Sequence, residues 1–182
     1  MNSGVVFNGN TGPIDIKNEK KIVRPSILGK LVEIIATSDP EPIDLKRKPS
    51  EIEDKINFNN LKTHRWLVTE YIDNSCLIDG SIDQLNKMIN NGALKFKRQM
   101  KLFYKKALAD FGICTFPLDL EKLKNQSDNV VERVMKLSNE FVRSSSDLQE
   151  GYFDEDIEFG IALITSYSII ECVVLESPND YN

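Results

Sequence analysis

This chain has little of what catalysis and membrane insertion usually require. It contains one histidine, His64, in 182 residues, so any Ser-His relay within the chain would have to use it. The three cysteines, Cys76, Cys114 and Cys172, are far apart and form no CxxC pair. That argues against a structural zinc site and for a reducing compartment, and a cytoplasmic location is expected. No glycine-rich phosphate loop is present, because GNTG at 9–12 lacks the Gly-Lys-Ser/Thr ending of a P-loop. The N-terminus MNSGVVFNGNTG has neither the basic region nor the apolar stretch of a secretory signal.

Long apolar runs are also missing. The most apolar stretch, DEDIEFGIALITSYSIIECVVLESP at 154–178, has only 12 uncharged residues between Glu158 and Glu171, whereas a spanning helix takes roughly 20 apolar residues. Positive charge is absent from the end of the chain. All 23 Lys and Arg lie at or before Arg143, and the nine acids from Asp147 to Asp180 follow with no base among them. Such polarity points to a charged partner, or to one part of the fold complementing another.

What is present is helical periodicity. With 41% hydrophobic residues the chain can build a core. Pro25-Ser26 opens a helix to about Ala36, and the three prolines in TSDPEPIDLKRKPS (37–50) read as an extended linker. Asn59-Asn60 is expected to cap a helix from Leu61 to about Asp73. Asp79-Gly80 breaks the pattern, and a short helix follows through Ile82, Leu85, Met88 and Ile89. Residues 93–111 form a strongly amphipathic helix, with Ala93, Phe96, Met100, Phe103, Tyr104, Ala107 and Phe111 on one arc. Residues 118–145 read as helix with a break near Asn125–Ser127. The apolar run at 157–175 is expected to be the central helix. Three acids precede it, Pro178 stops it, and apolar residues lie nearly all round.

The N-terminal stretch reads differently. Val5 and Phe7 alternate before NGNTG, and Ile14 and Ile16 alternate after it, which is the pattern of a short β-hairpin. Two strands alone are marginal in water, so these four side chains would dock on the body or on a partner; the alternative is an unstructured tail. The expected fold is therefore mostly α, a helical bundle with a short N-terminal β-hairpin. Its parts are a hairpin or tail at 1–23, a helix and Pro-rich linker at 24–50, a helical domain at 51–178 and a tail at 179–182.

The sharpest candidate surface is basic. Lys95, Lys97, Arg98, Lys101, Lys105 and Lys106 are six cations in 12 residues without an acid among them. They suit a phosphate backbone or an acidic partner, and equally a solvated outer face or one docked on the acidic C-terminal part. Asp15-Ile16-Lys17 matches the Asp-x-Lys of some metal-dependent nucleases, a short pattern with no upstream acid on a strand to support it. No cofactor and no metal are expected.

Two blocks carry a resemblance. PSEIEDKINFNNLKTHRWLVTEY (49–71) is followed by KFKRQMKLFYKKAL (95–108), and VVERVMKLSNEFVRSSSDL (130–148) by DIEFGIALITSYSIIECVVLESP (156–178). Together they resemble the helical accessory domain of ABC-three-component systems, the Lamassu-like anti-phage defence group. That domain has a similar "KIEYNNLKKYK…IIDEY" opening and a "CK-aliphatic-LE-x-P" ending; here Val173 replaces the usual Lys. The resemblance implies a non-enzymatic adaptor that links an effector to an SMC/Rad50-like ABC ATPase, with DNA reached through the complex and no membrane involved. In the family this domain often follows an effector domain, for which about 48 preceding residues are too few, so a stand-alone adaptor is expected. The alternatives are a nucleic-acid-binding helical module using Lys95–Lys106 and a small metal-dependent nuclease using the N-terminal acids.

Overall fold

The structure, a computed structural model, describes residues 23–38, 48–148, 150–171 and 173–181. Among these are seven α-helices: α1 (Ile27–Thr37), α2 (Pro49–Phe58), α3 (Trp66–Asp73), α4 (Ser75–Met88), α5 (Gly92–Asp110), α6 (Leu120–Arg143) and α7 (Asp154–Ile170). The mostly helical expectation holds. The hairpin residues Val5, Phe7, Ile14 and Ile16, like Asp15 and most of the Pro-rich linker, lie outside the described residues.

Two helices share the centre. α7 packs on α1, α3, α4, α5 and α6, and α1 packs on α4, α5, α6 and α7. Twelve of the 17 residues of α7 are buried, from Ile157 to Ile170, as an all-round apolar pattern requires. Its buried hydroxyls are satisfied within the helix: Thr165 donates to the Ile161 carbonyl at 2.8 Å and Ser168 to that of Ile164 at 2.7 Å. Asp154, Glu155 and Asp156 occupy its first turn, where the helix dipole favours negative charge. Gly160 lets α1 approach, since a Cβ there would lie 2.7 Å from Val32 Cγ1. α1, set apart from residues 51–178 in the sequence reading, thus contributes Leu28, Leu31, Val32 and Ile35 to the same core.

Four local expectations are corrected by the structure. Asn59-Asn60 does not open a helix; it closes α2, which begins at Pro49, inside the stretch read as linker. Asn60 is left-handed at φ 57°, its N–H donates to Asn57 and the Leu61 N–H donates to Ile56. This is a Schellman ending with Asn in the place of glycine, and its Leu61–Ile56 pair is buried. Asp79-Gly80 lies inside α4. Glycine costs about 1 kcal/mol in a helix, and burial of Leu77, Ile78, Ile82 and Leu85 outweighs it. α6 runs unbroken past Asn125–Ser127, because that polar stretch is used sideways: Asn60 Nδ2 donates to the Lys124 carbonyl and Ser127 Oγ to that of Asn60. α7 stops at Ile170, short of the expected Leu175; Leu175 is left-handed at φ 64° and buried.

Candidate interaction surfaces

Three features could meet a partner, and each is positioned by packing. The first is the basic face of α5. Its apolar arc is buried as expected, with Phe96, Met100, Phe103, Tyr104 and Ala107 in the core. The six cations then divide. Lys97 sits at the edge of the arc, 3.3 Å from Glu171 Oε2, with its Nζ 5.7 Å from the Tyr167 ring centre. Lys106 lies over the Phe103 ring at 6.0 Å. Lys95, Arg98, Lys101 and Lys105 are exposed and make no ion pair among the described residues. Among the described residues, the acidic C-terminal part is met by Lys97 at Glu171 and by Arg143, which reaches Asp154 at 2.6 Å and Glu158 at 3.8 Å.

The second feature is a groove of about 390 Å³ between the start of α3, α6 and α7. Met135, Ile161 and Ala162 supply apolar lining, His64 and Glu132 add polar groups, and Trp66 is 45% exposed beside them. Asp128 on α6 holds this wall in place. Its carboxylate accepts the His64 N–H at 2.8 Å and the Lys62 N–H at 3.1 Å, capping the helical turn Thr63–Arg65 that leads into α3. His64 Nδ1 is 3.3 Å from the same oxygen. Burial opposes the charge of Asp128, but the backbone N–H groups of His64, Lys62 and Thr63 and the His64 side chain outweigh it and hold the carboxyl below its usual value. The lone histidine is thus bound to a capping residue, and among the described residues no Ser, Thr or Cys side chain hydrogen-bonds to its ring.

The third feature surrounds Glu176. Asn59, fully buried, donates from Nδ2 to the Lys55 and Glu176 carbonyls, both at 2.8 Å, and accepts the Glu176 N–H at 3.0 Å. The left-handed turn at Leu175 brings both backbone groups of Glu176 to that one amide. The Glu176 side chain accepts the Tyr104 hydroxyl at 3.0 Å and the Tyr181 hydroxyl at 3.2 Å. Burial, then the Glu176 charge, pushes both tyrosines above their usual pKa, so they remain donors. Tyr104, Glu176 and Tyr181 of this latch line a groove of about 280 Å³ together with Lys101, Lys105, Thr115 and Leu118.

Comparison with family models, with curated proteins and with solved structures finds no match to this chain. Its surfaces must be read on their own chemistry. The basic residues are legible in the sequence; the exposure of Trp66 and Phe116 and the latch formed by Asn59 and Glu176 are not. An aromatic in the turn between Gly112 and Asp119, away from any apolar arc, was the available signal for Phe116. For Asn59 no local signal separates a helix-opening from a helix-closing role. No group of His, Cys, Asp and Glu able to hold a metal exists among the described residues, and none of their helices is long and apolar enough to cross a membrane.

Proposed function

We propose that this chain is a non-enzymatic adaptor subunit of a bacterial anti-phage defence complex of the Lamassu-like, ABC-three-component kind, linking an effector to an SMC/Rad50-like ABC ATPase. The observation that carries the adaptor reading is the open groove with Trp66 at its edge. A half-exposed tryptophan beside apolar lining, on a wall fixed by Asp128, is the composition of an interface anchor. The partner assignment rests on the resemblance. Its support is that the two quoted blocks meet, NNLK at 59–62 and LESP at 175–178 being joined by the Asn59–Glu176 bonds.

The test is co-purification. The tagged chain is expressed with an SMC/Rad50-like ATPase and an effector of a Lamassu-like system, and the complex is sized. Wild type should bring down both, and Trp66→Ala should weaken recovery at least tenfold without lowering the melting temperature. A chain that binds neither protein, or that itself turns over DNA, RNA or nucleoside triphosphates with magnesium or manganese, would sink the adaptor reading.

A second reading, a nucleic-acid-binding helical module, is favoured by one observation: Lys95, Arg98, Lys101 and Lys105 are exposed and make no ion pair among the described residues. Binding of labelled DNA that weakens as salt rises, and is lost on reversing these charges, is expected on this reading.

A further inference from the structure

We propose that the groove beside α5 takes a single-stranded nucleic acid, its backbone along Arg98, Lys101 and Lys105 and its bases against Phe116 and Tyr181. The proposal narrows the nucleic-acid reading above and is independent of the adaptor assignment.

The turn at Cys114–Leu118 is the decisive element. Thr115 and Leu118 pair across it and both line the groove, so Phe116 and Pro117 form its tip. Phe116 is 94% exposed, although a phenylalanine gains nothing from water. The turn that presents it is firmly built. α5 ends in a Schellman motif, with Gly112 at φ 62°, the Ile113 N–H on Leu108 and the Gly112 N–H on Ala109. Lys122 Nζ donates to the Gly112 carbonyl at 2.8 Å, and the Asp119 N–H to that of Cys114 at 3.0 Å. Ile113 is buried beneath. Phe116 is therefore presented by an anchored turn, as a stacking platform requires.

The rest of the groove suits the same ligand. Lys101 and Lys105 are one helical turn apart, roughly 5–6 Å between Cβ atoms, which is close to the repeat of phosphates along a strand. Tyr181 is 45% exposed and steadied by the Phe58 ring at 5.7 Å. Glu176 is the one carboxylate among the lining residues, and both of its oxygens already accept tyrosine hydroxyls. Unpaired cations beside exposed aromatic faces are the pairing that non-specific single-strand binders use, the cations tracking the backbone and the rings taking bases. A duplex hides its base faces and could use only the cations. An acidic protein segment could likewise use the lysines, but lysine is depleted at protein interfaces.

The experiment uses the full chain with fluorescein-labelled oligodeoxythymidine, a duplex of equal length and a polyglutamate peptide, read by anisotropy over a salt series. The single strand should bind more tightly than the duplex or the peptide. K101E/K105E should weaken it at least tenfold at low salt and flatten the salt dependence, by roughly 0.7 in log–log slope for each phosphate no longer neutralised. Phe116→Ala should weaken it roughly 5- to 100-fold, the effect of removing one base stack, with the slope unchanged. Lys87→Glu, an equal charge change per site on α4, should leave binding within about threefold on the same electrostatic grounds. Circular dichroism checks that each variant folds. If the lysine variant weakens strand and duplex alike while Phe116→Ala does nothing, the groove proposal is overturned and the general nucleic-acid reading stands. Absence of oligonucleotide binding by wild type overturns both, and tighter binding of polyglutamate overturns the proposal in favour of a protein partner.

Discussion

Replacing Asn59 tests whether the end of the chain is held by one amide. Asn59→Ala removes three hydrogen bonds. The Lys55 carbonyl keeps a donor, the backbone N–H of residue 59 at 3.2 Å. The loss falls on the N–H and C=O of Glu176. A hydrogen bond contributes about 1 kcal/mol net, and a buried group left without one costs about 1–3. Glu176 is half-buried, so water recovers part of this and the left-handed Leu175 is free to relax. The expected destabilisation is about 2–4 kcal/mol, and at about 2–4 °C per kcal/mol the melting temperature falls by roughly 4–16 °C. Asn59→Asp should be worse at neutral pH, because a carboxylate oxygen would replace the donor that faces two carbonyls. That deficit should shrink as pH falls, since burial raises the new carboxyl's pKa and the protonated form can donate once. Hydrogen exchange gives the local readout: the Glu176 amide, which donates to Asn59 Oδ1 at 3.0 Å, should be protected in wild type and exchange far faster in Asn59→Ala. Variants that melt within a degree of wild type and keep that amide protected would refute the latch.

Other consequences follow from the same packing. Ile164, fully buried on α7, should cost about 2–5 kcal/mol as Ile164→Ala and more as Ile164→Asp; an unchanged thermal melt would mean the helix is not the core. Asp128→Ala removes the cap of the Thr63–Arg65 turn and should cost about 1–2 kcal/mol at neutral pH. Because the folded carboxyl titrates lower than the unfolded one, that stabilisation is present above the unfolded value. It is lost as pH falls through the folded one, so the gap between wild type and variant in urea melts should close in acid. Gly160→Ala brings a methyl group 2.7 Å from Val32 Cγ1 and should cost about 1–3 kcal/mol by overpacking. Val32→Ala in the same chain should restore part of it, and a double variant whose cost equals the sum of the single costs would mean that α1 and α7 do not meet at this pair.

Although α2 was legible only from the tertiary structure, the residues by themselves determined that α1, α5 and α6 are helices with one apolar face and that α7 is buried all round. Those are properties of spacing within 15 to 20 residues: α5 lies at 92–110 against an expected 93–111, and α7 is central as its apolar residues demand. What each punctuating residue does was decided by tertiary structure. Asn59-Asn60 has the right chemistry either to open a helix or to close one, and only the burial of Ile56 against Leu61 and the docking of Glu176 select closure. Gly80 continues α4 because its neighbours are buried on both sides. The cap before α3 comes from Asp128 rather than from the preceding residues, and Lys97 is drawn inward by Glu171 while Lys101 and Lys105, on the same helix, stay in water. A cap, an ion pair or an exposed aromatic depends on which backbone group or charge arrives from 60 or more residues away, and that is set by how the helices pack, not by the local order of side chains.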